Sequence, residues 1–200
     1  SVPYRQNPVG TFSVASAVSG DTVDLAGASF TSGEFANQNS QGEWTYYVRF
    51  TSGTLEGRWF NVVGNDASSL TLNNEDSGDA ADLSAAASGD ELQLIKHWTI
   101  DELFPANAKG FSFAGADFAF AADFKLLLPD TEGTGVNRPA IGQLVFVNGS
   151  GWQFTGGSPA GDVVLPPQRT LILRNQRPAS TGVSDDPATV ADESTGDLTF

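Results

Sequence analysis

The sequence predicts an all-β protein, an antiparallel β-sandwich or barrel of short hairpins with one or two short helices. Three observations carry that expectation. Apolar residues alternate at period two over some ten short runs, the spacing of a half-buried strand. Turn residues such as Ser19-Gly20-Asp21, Gly64-Asn65-Asp66 and Asn148-Gly149 separate the runs. The chain of 200 residues is 40% hydrophobic and holds 14 Phe and 4 Trp, enough to fill a core. No apolar run approaches the roughly 20 residues of a membrane-spanning helix.

Taken in order, residues 11–18 place Phe12, Val14, Ser16 and Val18 on one face, and Val23 and Leu25 return after the turn at Gly20. Residues 44–50 set Trp44, Tyr46, Val48 and Phe50 on one face of a strand, and residues 57–63, with Trp59, form the next. Leu70-Thr71-Leu72 closes that unit. Residues 73–88 break the pattern with four acids and an Ala-rich stretch, which predicts a loop with at most a helical turn. A strand follows over 91–98. Thr99-Ile100-Asp101-Glu102 is a capping box, with Thr at the N-cap and Glu three residues later, and Pro105 limits the helix. Alternation from Phe118 to Leu128 predicts a strand, with helix as the alternative around Ala119 to Asp123, and residues 142–147 and 152–154 flank an Asn-Gly turn as a hairpin. Thr170 to Arg174 supplies a further strand. Residues 1–177 are thus expected to form a single β domain. Residues 178–200 are an acidic tail rich in Ser, Thr, Asp and Ala, ending in the short alternating stub Leu198-Thr199-Phe200.

Charge narrows the function classes. The net charge is −14, yet charged residues are only 17%, so the surface is built from Ser, Thr, Asn, Gln and Gly. That composition is common in exported and cell-surface β proteins, and we expect a mature extracellular or surface chain without its signal peptide. Nucleic acid is an unsuitable partner, because phosphate binding needs clustered Lys and Arg, and the Lys are Lys96, Lys109 and Lys125 alone. The absence of Cys removes disulfides, thiolate nucleophiles and Cys-bound zinc.

Reactive constellations are sparse. His97, the single histidine, sits at a strand end between Lys96 and Trp98, and reads as a surface or packing residue. No Gly-x-Ser-x-Gly elbow accompanies it. Asp101 and Glu102 are adjacent acids, but the capping box already accounts for Glu102. No catalytic residue and no cofactor are expected. Glu75, Asp76, Asp79 and Asp82 are the weak calcium candidates; the cluster lacks the ligand spacing of a calcium loop, and a solvated acidic loop is the simpler reading. The four Trp lie in or beside strands, where packing is their usual role. Trp44, between Glu43 and Thr45, is the aromatic most suited to stack on a ligand.

Tyr46-Tyr47-Val48 through Ser52-Gly53, then Glu56-Gly57-Arg58-Trp59, Asn65 and Leu70-Thr71-Leu72, form one block. Gly89-Asp90 through Ile95 to Trp98-Thr99, then Leu103-Phe104, form a second. With Ala116-Asp117, Gly151-Trp152 and Pro166-Pro167, they resemble an uncharacterised family of exported bacterial proteins, over about Val2 to Arg174. The resemblance implies export and carries over no catalytic residue.

Two functions follow as expectations. The first is an extracellular structural protein that self-assembles head-to-tail into a filament or surface layer by exchanging terminal strands. The assembly candidates are Phe12 and Val14 near one end and Leu198 and Phe200 at the other. The second is an exported module that binds a glycan or another surface partner.

Overall fold

The computed structural model describes residues 1–16, 18, 20–74, 78–105, 107–108, 111–112, 124–129, 140–147, 151–154 and 157–175. Two compact units divide the chain. One comprises Pro3–Trp98 with Val163–Pro167; the other comprises Ser1–Val2, Thr99–Asp162 and Gln168–Phe200. The protein is all-β, with almost no helix among the described residues.

In the first unit six strands form one antiparallel sheet: β1 (Gly10–Ser13), β2 (Thr22–Asp24), β3 (Tyr46–Phe50), β4 (Trp59–Asn65), β5 (Ser69–Asn73) and β6 (Glu91–Lys96). Their order is β1-β6-β3-β4-β5-β2. The sheet curls as a half-barrel, and its two edge strands approach each other just beyond their ends. Val14 bridges Leu25, Ala15 N–H donates to Asp24 O, and Ala26 N–H donates to Ser13 O, both at 2.8 Å. The hairpin expected around Gly20 therefore closes the curl, while each of its strands pairs along its length with a distant neighbour. Gly10 faces Leu94 and Phe12 faces Leu92, whereas Val23 faces Leu70.

Alternation sorts the side chains of each strand onto two faces. The inner face buries Val14, Val23, Val48, Phe50, Phe60, Val62, Leu70, Leu72, Leu92 and Leu94 in one cluster. Phe12, Phe30, Phe35 and Tyr46 extend it in an edge-to-face chain with ring centroids 5.1–5.2 Å apart, the geometry the ring quadrupoles favour. The β4–β5 register shifts between Val62 and Gly64. A Cβ on Gly64 would press on Thr71, and the extra residue brings Asn65 into the buried phase. Asn65 then pins the loop before β3: its Oδ1 accepts from Phe35 N–H, and its Nδ2 donates to Thr31 O, each at 2.8 Å. Residues 82–87 hold a turn at Ser84-Ala85 and no helix.

The second unit holds the Thr99 end of β7 (Trp98–Thr99), helix α1 (Ile100–Leu103) and the ladder of β8 (Asn107–Ala108) with β9 (Phe111–Ser112). The capping box forms as the sequence predicts. Thr99 Oγ1 accepts from Glu102 N–H, and the Glu102 carboxylate accepts from Thr99 N–H at 3.0 Å. Strands β10 (Phe124–Pro129), β11 (Ala140–Val147), β12 (Gly151–Phe154) and β14 (Ile172–Asn175) make an antiparallel sheet in the order β12-β11-β10-β14; β13 (Val164–Leu165) belongs to the first unit. The β11–β12 hairpin sets Leu144 against Phe154 and Phe146 against Trp152. Trp152 is fully buried; it packs edge-on against Phe104, and its indole N–H donates to Phe104 O at 3.0 Å. Beyond β12 the chain folds back along it. Ala160 N–H donates to Trp152 O, Phe154 N–H donates to Ser158 O, and Pro159 bridges Gln153. No helix among the described residues is long and apolar enough to cross a membrane.

Candidate functional site

The outer face of the six-stranded sheet carries a second, smaller cluster. On β3, Tyr47 and Arg49 point away from the core that takes Val48 and Phe50. The register sets Tyr47 between Asn61 of β4 and Ile95 of β6, and Arg49 beside Trp59. His97, two residues beyond Ile95, joins the same face. Tyr47, Trp59 and Ile95 are buried there, with Tyr4 packed against them.

His97 is the centre of this cluster and only 1% exposed. Its ring stacks on Tyr47 at 4.5 Å and meets Trp59 edge-on at 5.6 Å. Its Nε2 lies 2.9 Å from Asn61 Oδ1, so with that oxygen accepting, Nε2 carries the proton. Nδ1 is buried and has no hydrogen-bond partner among the described residues. Burial, and then the nearby Arg5 cation, push the imidazole from its ordinary value of 6.5 down to about 3. Burial likewise pushes the Tyr47 phenol up to about 12, opposed by a hydrogen bond from the Arg5 backbone. At neutral pH both groups are uncharged. The hydrogen-bond partner of His97 is an amide rather than the carboxylate that would orient a catalytic imidazole.

The segment from Pro3 to Arg5 lies over this face. Arg5 donates to His97 O at 3.2 Å, and its guanidinium stands 4.0 Å from the Trp98 ring centre. Tyr4 Oη donates to Gly57 O at 3.4 Å, and the Arg49 guanidinium stands 4.0 Å from the Tyr4 ring centre. The Trp98 indole N–H donates to Pro3 O at 3.1 Å. Two cation–π stacks and three side chain-to-carbonyl hydrogen bonds thus hold a short stretch of chain that adds no strand to the sheet.

The sequence-derived candidates fall elsewhere. Phe12 and Val14, expected as assembly donors, are engaged in their own sheet: Phe12 pairs with Leu92, and Val14 is buried and bridged to Leu25. Leu198 and Phe200 lie outside the described residues, as do Glu75 and Asp76. Asp79 and Asp82 are exposed. The Asp82 carboxylate accepts from Ser84 N–H at 3.0 Å, and bonds to Ser84 hold it below the usual range. No three His, Cys, Asp or Glu side chains among the described residues converge as metal ligands would. Trp44 is half-buried and bridged to Gln38. Trp59 and Trp152 are buried, and Arg5 covers Trp98. Sequence reasoning placed His97 as a surface or packing residue and passed over Tyr4 and Arg5. The signal available was the Tyr-Arg pair beside two prolines at the chain start. No protein-family model, curated protein or solved structure matches the chain.

Proposed function

We propose that this chain is a structural module of an exported assembly, joined head-to-tail through its C-terminal segment. One observation carries the reading. Strand β14 pairs with β10 on one side and has no strand on the other among the described residues. The opposite edge of that sheet, β12, is lined by the returning chain at residues 158–160. An edge strand presents N–H and C=O groups that template the addition of another strand.

The 25 residues after Asn175 supply a donor. Fully extended they span at most about 85 Å, enough to reach a neighbouring copy. They carry no positive charge after Arg177 and end in Leu198-Thr199-Phe200, whose alternate apolar residues suit a strand seated on a sheet edge. A head-to-tail exchange of this kind propagates into a ring or filament. The weakly charged, Ser-, Thr- and Gly-rich composition supports a surface location. A carbohydrate platform is the weaker reading, because Trp59 and Trp152 are buried and Trp98 is covered, which leaves the half-buried Trp44 as the aromatic candidate with no second exposed Trp among the described residues to form a row.

Hydrogen exchange tests the proposal at the strand itself. Alternate amides of Ile172–Asn175 gain protection as the concentration of the full chain rises, and lose that gain when residues 178–200 are deleted. Concentration-independent exchange in both proteins contradicts it.

A further inference from the structure

We propose that residues 3–8 form an acid-released strap: protonation of His97 drives Tyr4 and Arg5 off the outer face of their own sheet, while the chain stays anchored on both sides of them. The aromatic face around Tyr47, Trp59 and Trp98 is covered at neutral pH and opens in acid. The device does not depend on the assembly reading above.

The anchors and the strap are held differently. On one side Val2 is buried; its N–H donates to Arg169 O and its O accepts from Gln168 N–H, both at 2.9 Å. On the other, Val9 N–H donates to Leu94 O at 2.7 Å, and β1 continues into the sheet ladder. The stretch between begins with Pro3 and ends with Pro8, and Gln6 and Asn7 are exposed. It joins no ladder. Bonds from Tyr4 to Gly57 O, from Arg5 to His97 O and from the Trp98 indole to Pro3 O hold it, with the two cation–π stacks. A segment held by side chains at the surface opens at lower cost than the strands it covers.

The trigger lies beneath the strap. Nε2 of His97 already faces Asn61 Oδ1, so an added proton enters at Nδ1. There the new N–H finds no acceptor among the described residues, and the new charge stands in the field of the Arg5 cation. The surrounding elements offer no compensating anion among those residues. Strand β3 contributes the Tyr47 phenol and the Arg49 cation, β4 the neutral Trp59 and Asn61, and the strap Tyr4 and Arg5. Thr45 O accepts from His97 N–H, but Glu43 on that segment turns its carboxylate to Asn39 Nδ2 and Val164 N–H. Strand β13, paired with β7, has no ionisable side chain, and Lys96 alternates to the inner face opposite Tyr46. Of these elements the strap is the one outside the sheet, and it carries the repelling cation. Its departure separates two like charges and admits water to Nδ1.

The Trp98 indole N–H, bonded to Pro3 O, reports on the strap directly. Its hydrogen exchange is followed by NMR in the full chain at about pH 7 and about pH 5, with and without low urea, and expressed as protection relative to the unfolded rate at the same pH. Proton uptake on opening lowers this protection about tenfold or more between the two conditions. The opening is local, so Trp98 exchanges faster than the backbone amides of β3 and β4 and is insensitive to urea, whereas those amides exchange faster as urea rises. In His97→Phe the Trp98 protection is the same at both pH values. His97→Gln, which keeps an N–H for Asn61 Oδ1, is the second uncharged variant and gives the same result. Trp98 exchange that matches the β3 and β4 amides in rate and urea dependence means the unit opens as a whole and overturns the strap, a comparison that needs no variant. Protection that is unchanged by acid in the parent, or that falls equally in the His97 variants, overturns the trigger.

Discussion

Acidification is predicted to destabilise the first unit through His97. The folded chain holds this ring neutral, with its titration pushed down to about 3 by burial and the Arg5 cation, while an unfolded histidine titrates near 6.5. Between those values the unfolded chain binds a proton that the folded chain refuses. Stability is therefore complete above about pH 6.5 and declines as pH falls toward about 3, by roughly 1.4 kcal/mol per unit. At about pH 5 the loss attributable to this ring is about 2 kcal/mol. The control is His97→Phe, which keeps an aromatic ring against Tyr47 and Trp59 and removes the titration, leaving Asn61 Oδ1 without this partner. Urea unfolding followed by tryptophan fluorescence, at about pH 7.5 and about pH 5, gives the change for each protein. Other ionisable groups cancel in the comparison, so the parent loses about 2 kcal/mol more than the variant. Because the chain has one histidine, its ring protons give a single NMR titration. A midpoint near 6.5, or an equal loss of stability in both proteins, refutes the burial argument.

Three further outcomes follow from the packing. Asn65→Ala removes the acceptor of Phe35 N–H and the donor to Thr31 O, which costs about 2–4 kcal/mol and speeds exchange of the Phe35 amide; unchanged exchange there contradicts the assigned role. Gly53 and Gly33 share φ near 77°, but a Cβ on Gly53 meets the Asp90 carboxylate, whereas one on Gly33 meets open space. Gly53→Ala is thus more destabilising than Gly33→Ala, which costs about 1 kcal/mol for backbone strain alone; equal losses by thermal denaturation disprove the steric contribution. Glu102→Ala breaks the reciprocal half of the capping box and lowers stability by about 0.5–1 kcal/mol, a loss that Glu102→Gln restores in part.

Local chemistry was legible in the sequence where neighbours along the chain determine it. The alternation through Tyr46, Val48 and Phe50, the capping box at Thr99 and the strands flanking Asn148-Gly149 each depend on residues a few positions apart. What decides the remainder is non-local. Phe12 and Val14 read both as one arm of the hairpin around Gly20, which the Val14–Leu25 bridge bears out, and as assembly donors, because the partner of Phe12, Leu92, is distant in the chain. His97 reads as a surface or packing residue because Lys96 and Trp98 flank it, yet its burial comes from Tyr47 and Trp59 on other strands. The contacts of Pro3–Arg5 leave only the Tyr-Arg pair beside two prolines as a signal in the sequence. Tyr4 and Arg5 are held by backbone carbonyls and ring faces, and neither leaves a spacing or pairing pattern. The bulge at Gly64, which turns Asn65 inward, is a property of the β4–β5 register and not of either strand alone.

Multi-angle light scattering across a concentration series bears most directly on the proposed assembly, comparing the full chain with one ending at residue 177. The account predicts that the full chain grows beyond a monomer as concentration rises, while the shortened chain, still folded by circular dichroism, remains monomeric. A full chain that stays strictly monomeric at its highest soluble concentration, or a shortened chain that assembles equally well, contradicts it.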